Sequence, residues 1–510
     1  MIHENAGKPF SRWLWPLLIS FGLLRLASLG AYPLADTTEA RYGNIARLMV
    51  ETGDWVTPQY SYGVPFWGKP PLSTWLAAGS MKLFGINEFA VRLPSFLMAL
   101  GAMIFVWHMA KQQRGRDYAM AAALILATSA LFFVSSGAVM TDPALLAGTT
   151  LCMAAFWQAL NTPGRVGRLW GYAFFTGLAI GLLAKGPVAV VLTALPIGLW
   201  TLLQRRWLEV WQRLPWLGGL ALTLCLSVPW YALAEHKTPG FLDYFLIGEH
   251  WKRFTVPGWK GDLYGNAHVR PKGTIWLYGL ACSLPWSLAL FVWLPRREVR
   301  SGLFKRLNIR DGWILYLMLW AAAPMLFFTL AGNILWTYVL PALPALALLT
   351  AEVMIAGFES SGKPMAVFKA LRWGASLILL IFAIGLGWIA MGNGPAERSQ
   401  MRLIAAYQDG RDLGHEKKGN LIYLFKRPFS AEFYSEGKAL LARNFKEAEK
   451  FLNDQAIDYL AVQSKNMERL PEVLTRRLNI AYKAKEYYLL MENVASARAE
   501  IGLENDGGER

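Results

Sequence analysis

Between residues 13 and 392 the chain is a succession of apolar runs, and this constrains its fold more than any other feature. About eleven runs fall at 13–34, 86–110, 118–138, 142–160, 169–185, 187–204, 214–234, 273–295, 313–330, 337–357 and 373–392. A helix crossing the hydrocarbon core needs about 20 apolar residues, and in lipid every backbone N–H and C=O must be satisfied within the segment. Runs of this length are therefore expected as transmembrane helices. The chain is 55% hydrophobic and holds 23 tryptophans, against about 45–50% apolar residues in soluble domains. It reads as an α-helical polytopic membrane protein over 1–392, followed by a more polar domain over 393–510.

The net charge is +16, but the basic residues sit in short loops between apolar runs. They form no stripe on a soluble face, so nucleic acid is excluded as a partner. Lys8 and Arg12, then Lys111, Arg114 and Arg116, Arg165 and Arg168, Arg205, Arg206 and Arg213, and the 296–310 and 363–372 loops mark one side, read as cytoplasmic. The long segments 35–85 and 235–272 and the C-terminus then face outward. The run from Trp13 is too long for a signal-peptide core and is read as a retained first helix. Cys152, Cys225 and Cys282 lie within apolar runs at spacings that give neither a disulfide framework nor a zinc site. They read as small core residues. In the tail, 420–425 and 458–463 have strand patterns, while 445–454 and 470–478 have helix patterns, which implies a small α/β domain.

Arg25 is the ionisable residue nearest the middle of a span, and it needs a partner or water. The other ionisable residues of note gather at the outer ends of the runs: Asp36, Glu39, Arg41, Tyr42, Lys69, Asp142, Lys185, His250, Arg253, Arg270 and Tyr338. Each has a structural reading beside a functional one. Asp36 and Glu39 match a helix N-cap and its capping-box partner, and, with Tyr42, are spaced to share one face of a helix. Asp142 before Pro143 matches an N-cap followed by proline at N1. Lys185 before Gly186 and Pro187 matches a lysine snorkelling at a helix end. Lys69, fixed beside Pro70 and Pro71 and bracketed by Trp67 and Trp75, suits either an interfacial aromatic belt or a phosphate contact. Segment 248–273 mixes bases and aromatics as an interfacial helix would. His250 and His268 are too far apart in sequence for a metal pair on one helix, so no metal is expected.

The strings DTTEARYGNIARLM, GDWVTPQ, PFWGKPPLSTW, FGINEFAVRLPS, TDPAL, LLAKGP, GEHWKRF and TYVLPALPALALL run in order from the first apolar run to the tenth. In this the chain resembles the bacterial protein O-mannosyltransferase superfamily of GT-C glycosyltransferases, whose best-known bacterial branch is the lipid A aminoarabinose transferases. The resemblance implies a GT-C fold with an acid on a long first outer loop and a soluble outer C-terminal domain. It implies a polyprenyl-phosphate-sugar donor, undecaprenyl phosphate being its carrier, and no cofactor beyond that lipid-linked sugar. It places the first-loop acid at Asp36 or Glu39, the second-loop acid at Asp142 and the phosphate-binding lysine at Lys69. His250, Arg253 and Tyr338 follow as further donor contacts, and Tyr42, Lys185 and, more weakly, Arg270 are added to them from their place in the outward-facing group.

The same resemblance implies a bacterial inner-membrane protein of the cell envelope, with its N-terminus cytoplasmic and its C-terminal domain periplasmic. Membrane lipids surround it, and the acceptor is lipid A, another glycan or a protein. The chain departs from the aminoarabinose pattern in three places: Thr38 stands where an Asp is common, Gly68 where a Glu is common, and Ile334 and Trp336 where a lysine usually enters the tenth span. The expected activity is inverting sugar transfer. The alternative is a lipid or saccharide transporter, which would call for more polar residues at mid-membrane depth than Arg25.

Overall fold

The computed structural model describes residues 10–265, 268–307, 312–412, 419–454 and 456–493. Each apolar run is helical. Six described helices are long and apolar enough to cross a membrane: Glu88–Arg114, Asp142–Asn161, Gly164–Lys185, Trp216–Lys237, Trp336–Ser360 and Ala366–Arg398. Helices Thr274–Cys282 and Ser287–Trp293 make a seventh if counted as one span bent by 97°. Pro285 lies in the break, where its missing N–H interrupts the helical ladder. Three shorter apolar helices, Trp15–Ser28, Val188–Leu203 and Trp313–Thr329, accompany them. The run at 118–138 is broken into Arg116–Ala127 and Ala130–Ser135.

The chain divides into two compact units. Residues Met1–Gly30 and Leu48–Leu386 form the first, and Ala31–Arg47 and Gly387–Arg510 the second. In the first unit, helix Asp142–Asn161 is enclosed on all sides. It lies so close to helix Gly164–Lys185 that a Cβ at Gly148 would sit 2.8 Å from Gly181 N and 2.9 Å from Gly177 O. Small residues let helix backbones approach in this way where lipid supplies no hydrophobic drive. Beside it Trp157, Trp200, Trp313, Tyr316 and Trp320 pack together, all buried. Their indole N–H groups find acceptors: Trp200 donates to Gly312 O (2.9 Å), Trp313 to Glu352 Oε1 (3.1 Å) and Trp320 to Pro341 O (3.0 Å).

Arg25 has the partners its position demands. Its guanidinium donates to Val134 O (2.9 Å) and Ser28 Oγ (3.1 Å) and lies 5.2 Å from the Phe133 ring centroid. A Cβ at Gly137 would fall 2.1 Å from Arg25 Cζ, so the glycine makes room for the charge. Cys152 and Cys282 are buried as expected. Cys225 is exposed on its helix and is not a core residue.

Segment 35–85 holds helices Thr38–Thr52 and Leu72–Phe84, with a short antiparallel pair, Gln59–Ser61 and Val64–Pro65, between them. Segment 235–272 carries a π-helical stretch, Asp243–Lys252, continuing into Arg253–Thr255.

The second unit contains a five-stranded sheet in the order Leu440–Ala442, Leu421–Leu424, Tyr459–Gln463, Tyr487–Glu492, Leu478–Lys483. The first three strands are parallel and the last two antiparallel to their neighbours. Alternate residues face opposite sides. Ile422, Leu424, Leu460 and Val462 pack with Ala448 and Leu452 of helix Phe445–Leu452 on one face, and Leu421, Tyr423, Tyr459 and Ala461 with Leu403 and Ile404 on the other. Asn444 caps helix Phe445–Leu452 by accepting from Glu447 N (2.9 Å), while Glu447 accepts from Arg443 N (2.7 Å). The helix expected over 470–478 ends at Arg477, and Leu478 already begins a strand.

Residues 31–47 are part of this unit. Leu34 N donates to Tyr434 Oη (2.7 Å), Asp36 Oδ1 accepts from Ser430 N (3.2 Å), and Asp36 Oδ2 accepts from Ser430 Oγ. The capping-box expectation fails for Asp36. The helix starts at Thr38, and both Asp36 oxygens are engaged by Ser430 instead. Burial, against the Ser430 bonds, raises the Asp36 pKa to about 6, and burial raises Asp458, whose Oδ2 has no hydrogen-bond partner among the described residues, to about 7. Both groups favour the protonated form in the fold. Their stabilisation is complete below their unfolded pKa near 4 and is lost as pH rises through 6 to 7. We expect protection of strands Leu421–Leu424 and Tyr459–Gln463 against hydrogen exchange, corrected for the intrinsic rate, to fall from pH 5 to pH 8 by about 1–3 kcal/mol. Asp458→Asn should flatten most of that slope. An unchanged slope in the variant would remove Asp458 as its source.

Candidate functional site

The loop 66–71 is stiffened before any charge is considered. Pro70 and Pro71 fix the backbone after Lys69, and the indole of Trp67 donates to Thr238 Oγ1 (3.1 Å). The backbone N–H of Trp67 donates to Tyr264 Oη (3.1 Å), and that hydroxyl donates onward to Pro65 O (2.8 Å). Phe66 meets Tyr264 edge-on at 4.7 Å. Gly68 lies against the same rings: a Cβ there would come 2.9 Å from Phe66 Cζ and 3.3 Å from Tyr264 Cδ2. A larger residue at 68 therefore requires this aromatic packing to rearrange. The loop and segment 235–272 are one assembly, and it holds Lys69 in place.

Lys69 Nζ pairs with Glu249 Oε1. One helical turn on, Arg253 Nη1 donates to both Glu249 oxygens (3.1 and 3.0 Å) and to Asp262 Oδ2 (2.8 Å). Asp262 is fixed by its backbone, since its Oδ1 accepts from Tyr264 N (3.0 Å). Asn333 Nδ2 donates to Arg253 O (2.6 Å), while its own Oδ1 is buried and has no hydrogen-bond partner among the described residues. The Glu249 and Asp262 side chains are each 6% exposed, and those of Lys69 and Arg253 each 19%. Burial opposes ionisation of Glu249, yet Lys69 and Arg253 outweigh it and hold its pKa below the ordinary value.

A second ion pair adjoins the first. Lys185 Nζ binds Asp142 Oδ1 at 2.7 Å and stands 4.9 Å above the Tyr338 ring. Asp142 is the first residue of its helix and makes no cap, so the N-cap expectation is replaced by an ion pair. Tyr338 stacks on Phe328 at 4.4 Å, and its phenol interacts electrostatically with Arg253, Lys69, Glu249 and Asp142. His250 joins the two pairs. Its Nδ1 faces Phe245 O (2.7 Å) and its Nε2 faces Lys185 O (3.1 Å). A neutral imidazole can donate to only one of these carbonyls, and burial keeps the His250 pKa below its usual value. Gly186, at φ +86°, permits this closeness: a Cβ would lie 2.7 Å from Phe245 Cζ and 3.1 Å from His250 Nε2.

Six of the expected site residues thus converge in the first unit: Lys69, Asp142, Lys185, His250, Arg253 and Tyr338. Arg270 does not join them. It is exposed and, among the described residues, pairs with none of the cluster. Asp36, Glu39 and Tyr42 lie in the second unit. There Glu39 Oε2 accepts a long bond from Ala35 N (3.4 Å), and Arg41 lies 5.2 Å from the Tyr42 ring centroid. Sequence reasoning missed Glu249, Asp262 and Asn333. The i, i+4 spacing of Glu249 and Arg253 on a helix was the available signal for the first. Among the described residues, no three His, Cys, Asp or Glu gather as a metal site would require.

The arrangement supplies two fixed cations, separated by one carboxylate, beside a buried phenol and a second ion pair. Preplaced cations at a buried site stabilise charge that develops on a departing oxygen.

Residues 24–245 match the dolichyl-phosphate-mannose-protein mannosyltransferase family. A protein of Enterobacter sp. (strain 638) named undecaprenyl phosphate-alpha-4-amino-4-deoxy-L-arabinose arabinosyl transferase is 32% identical over 342 residues, covering 66% of this chain and 58% of its own. Its Pseudomonas aeruginosa PAO1 namesake is 34% identical over 352 residues, covering 66% of this chain and 59% of its own. The chain thus spans rather less than two thirds of the curated relatives it matches. The crystal structure of ArnT from Cupriavidus metallidurans bound to undecaprenyl phosphate superposes with a TM-score of 0.78 at 19% identity, covering 96% of this chain and 99% of that one. At that identity the likeness speaks for the fold.

Proposed function

We propose, for a chain that belongs to the GT-C superfamily and carries its protein-mannosyltransferase domain over residues 24–245, that it is an inverting glycosyltransferase. It takes a sugar from a polyprenyl phosphate, with undecaprenyl phosphate as the carrier, and passes it to an acceptor on the outer face of the bacterial inner membrane. The observation that carries this reading is the pair of fixed cations, Lys69 and Arg253, sharing the carboxylate of Glu249. The names of the relatives, which denote transfer from undecaprenyl phosphate, support it over a transporter.

In this reading the bond between the anomeric carbon and the phosphate oxygen breaks, and its electron pair stays on the phosphate. Negative charge grows there as the sugar leaves, and Lys69 and Arg253 meet it. Tyr338 lines the same place. The acceptor attacks from the opposite face, which inverts the centre. A hydroxyl acceptor needs a general base, and the carboxylates of Asp36 and Glu39 are the candidates. The acceptor is lipid A, another glycan or a protein. Thr38, Gly68, Ile334 and Trp336 set the chain apart from the aminoarabinose pattern, so neither that sugar nor lipid A is assigned. The basic loops favour a cytoplasmic N-terminus and a periplasmic C-terminal domain.

Purified protein supplied with a radiolabelled undecaprenyl-phosphate sugar and envelope extract should release free undecaprenyl phosphate. Whichever of Glu39→Gln and Asp36→Asn removes the base should lower that release by about 100-fold or more. Intact donor after incubation with the wild-type protein would refute the reading. Full activity in both variants would remove the base assignment.

A further inference from the structure

Lys69 and Arg253 are not held open as an unsatisfied cationic site: Glu249 already bridges them. Arg253 also pairs with Asp262. Two cations and two carboxylates make this group neutral as it stands. The two acids are held differently, however. Asp262 keeps one oxygen on the backbone N–H of Tyr264. Among the described residues, the Glu249 carboxylate bonds to Lys69 and Arg253 and to no backbone group. Asp262 is thus built in, whereas Glu249 depends on the same two side chains that a phosphate would take.

Glu249 sits in the π-helical stretch Asp243–Lys252, a form of helix found mostly at functional sites. Its carboxylate oxygens match a phosphate as acceptors for both a lysine and an arginine donor.

We propose that Glu249 is a resident anion that occupies the donor-phosphate site between turnovers, yields it to the incoming lipid-linked sugar, and reclaims Lys69 and Arg253 to expel the polyprenyl phosphate product. This rests on the reading that those two cations bind the phosphate. The chemistry gives the device a purpose. The donor is a phosphodiester with one negative charge. After the C–O bond breaks, the product is a monoester whose second ionisation lies near pH 6, so it carries nearly two charges at neutral pH. A site of two bare cations would bind the product more tightly than the donor and stall. A third anion competing for the same donors weakens the doubly charged product most, because like charges brought together in a buried site repel strongly. Glu249 is a positioning residue in this account: it touches the cations and not the sugar.

The test is binding of farnesyl phosphate to the full-length protein in detergent, by titration calorimetry, with farnesol as the uncharged control. Glu249→Gln, which keeps the shape and removes the charge, should bind farnesyl phosphate about tenfold or more tightly than the wild type, with farnesol unchanged. Glu249→Ala should move the same way if the amide disturbs packing. Glu249→Asp, which restores the charge, should return affinity toward that of the wild type. Damage to a merely structural residue would weaken binding, not strengthen it. Two other results are distinguishable. If Lys69→Met and Arg253→Met lose farnesyl phosphate while Glu249→Gln and Glu249→Ala bind it no better than the wild type, the phosphate site stands and the exchange role of Glu249 is overturned. If Lys69→Met and Arg253→Met bind as the wild type does, the phosphate site itself is wrong and the proposal falls with it.

Discussion

Replacing Lys69 or Arg253 by methionine is expected to lower the rate of sugar transfer by about 10²–10³-fold, the effect typical of removing one preplaced donor from a buried oxyanion site. The loss should appear mainly in kcat. The donor phosphate carries one charge before the reaction and gains a second as the sugar leaves, so each cation does more for the transition state than for the bound donor. Lys69→Arg should keep part of the activity, since the charge survives while the point donor becomes a planar fork. Steady-state release of polyprenyl phosphate measures both. A rise in KM with kcat unchanged would mean that the cations only hold the donor. Activity at the wild-type level in either methionine variant would place the departing phosphate elsewhere.

Breaking the Asp142–Lys185 pair from one side should cost about 3 kcal/mol of stability. Both side chains are only 13% exposed and lie 2.7 Å apart, so Asp142→Asn leaves an uncompensated ammonium and Lys185→Met an uncompensated carboxylate. The pair ties the start of helix Asp142–Asn161 to the end of helix Gly164–Lys185, whose backbones touch at Gly148 and Gly177. The double variant removes both charges and should recover more than half of the loss. Its transfer activity should stay low, because Asp142 and Lys185 belong to the same constellation as Tyr338 and His250. Unfolding in detergent, measured beside activity, separates the two effects. A double variant that regained both would make the pair a structural tie and nothing more.

Much of the membrane unit was legible because the signal is long: twenty apolar residues have few alternatives to a helix. Breaks were harder. The bend at Pro285 and the division of the 118–138 run depend on local geometry that an apolar pattern conceals. In the tail, 420–425 and 458–463 stand out as strands. Leu440–Ala442 is too short, and Leu478–Lys483 too exposed on most of its residues, to show a clear pattern. Asp142 was read as a cap because sequence shows neighbours along the chain and not across it. Its partner Lys185 is 43 residues away. Asp36 was placed in a capping box for the same reason, whereas Ser430, which holds it, lies 394 residues on. Lys69 stands out by its aromatic and proline surroundings, whereas Arg253 is a donor contact only through the family resemblance. Glu249, between them, has only its i, i+4 spacing to Arg253 as a signal in the sequence.

A structure of the protein with undecaprenyl phosphate bound tests the central claim most directly. The account predicts phosphate oxygens within hydrogen-bond distance of Lys69 Nζ and the Arg253 guanidinium, with the Glu249 carboxylate turned away from both and Asp262 still on Tyr264 N. A phosphate bound elsewhere, with Lys69, Glu249 and Arg253 paired as they are here, would contradict it.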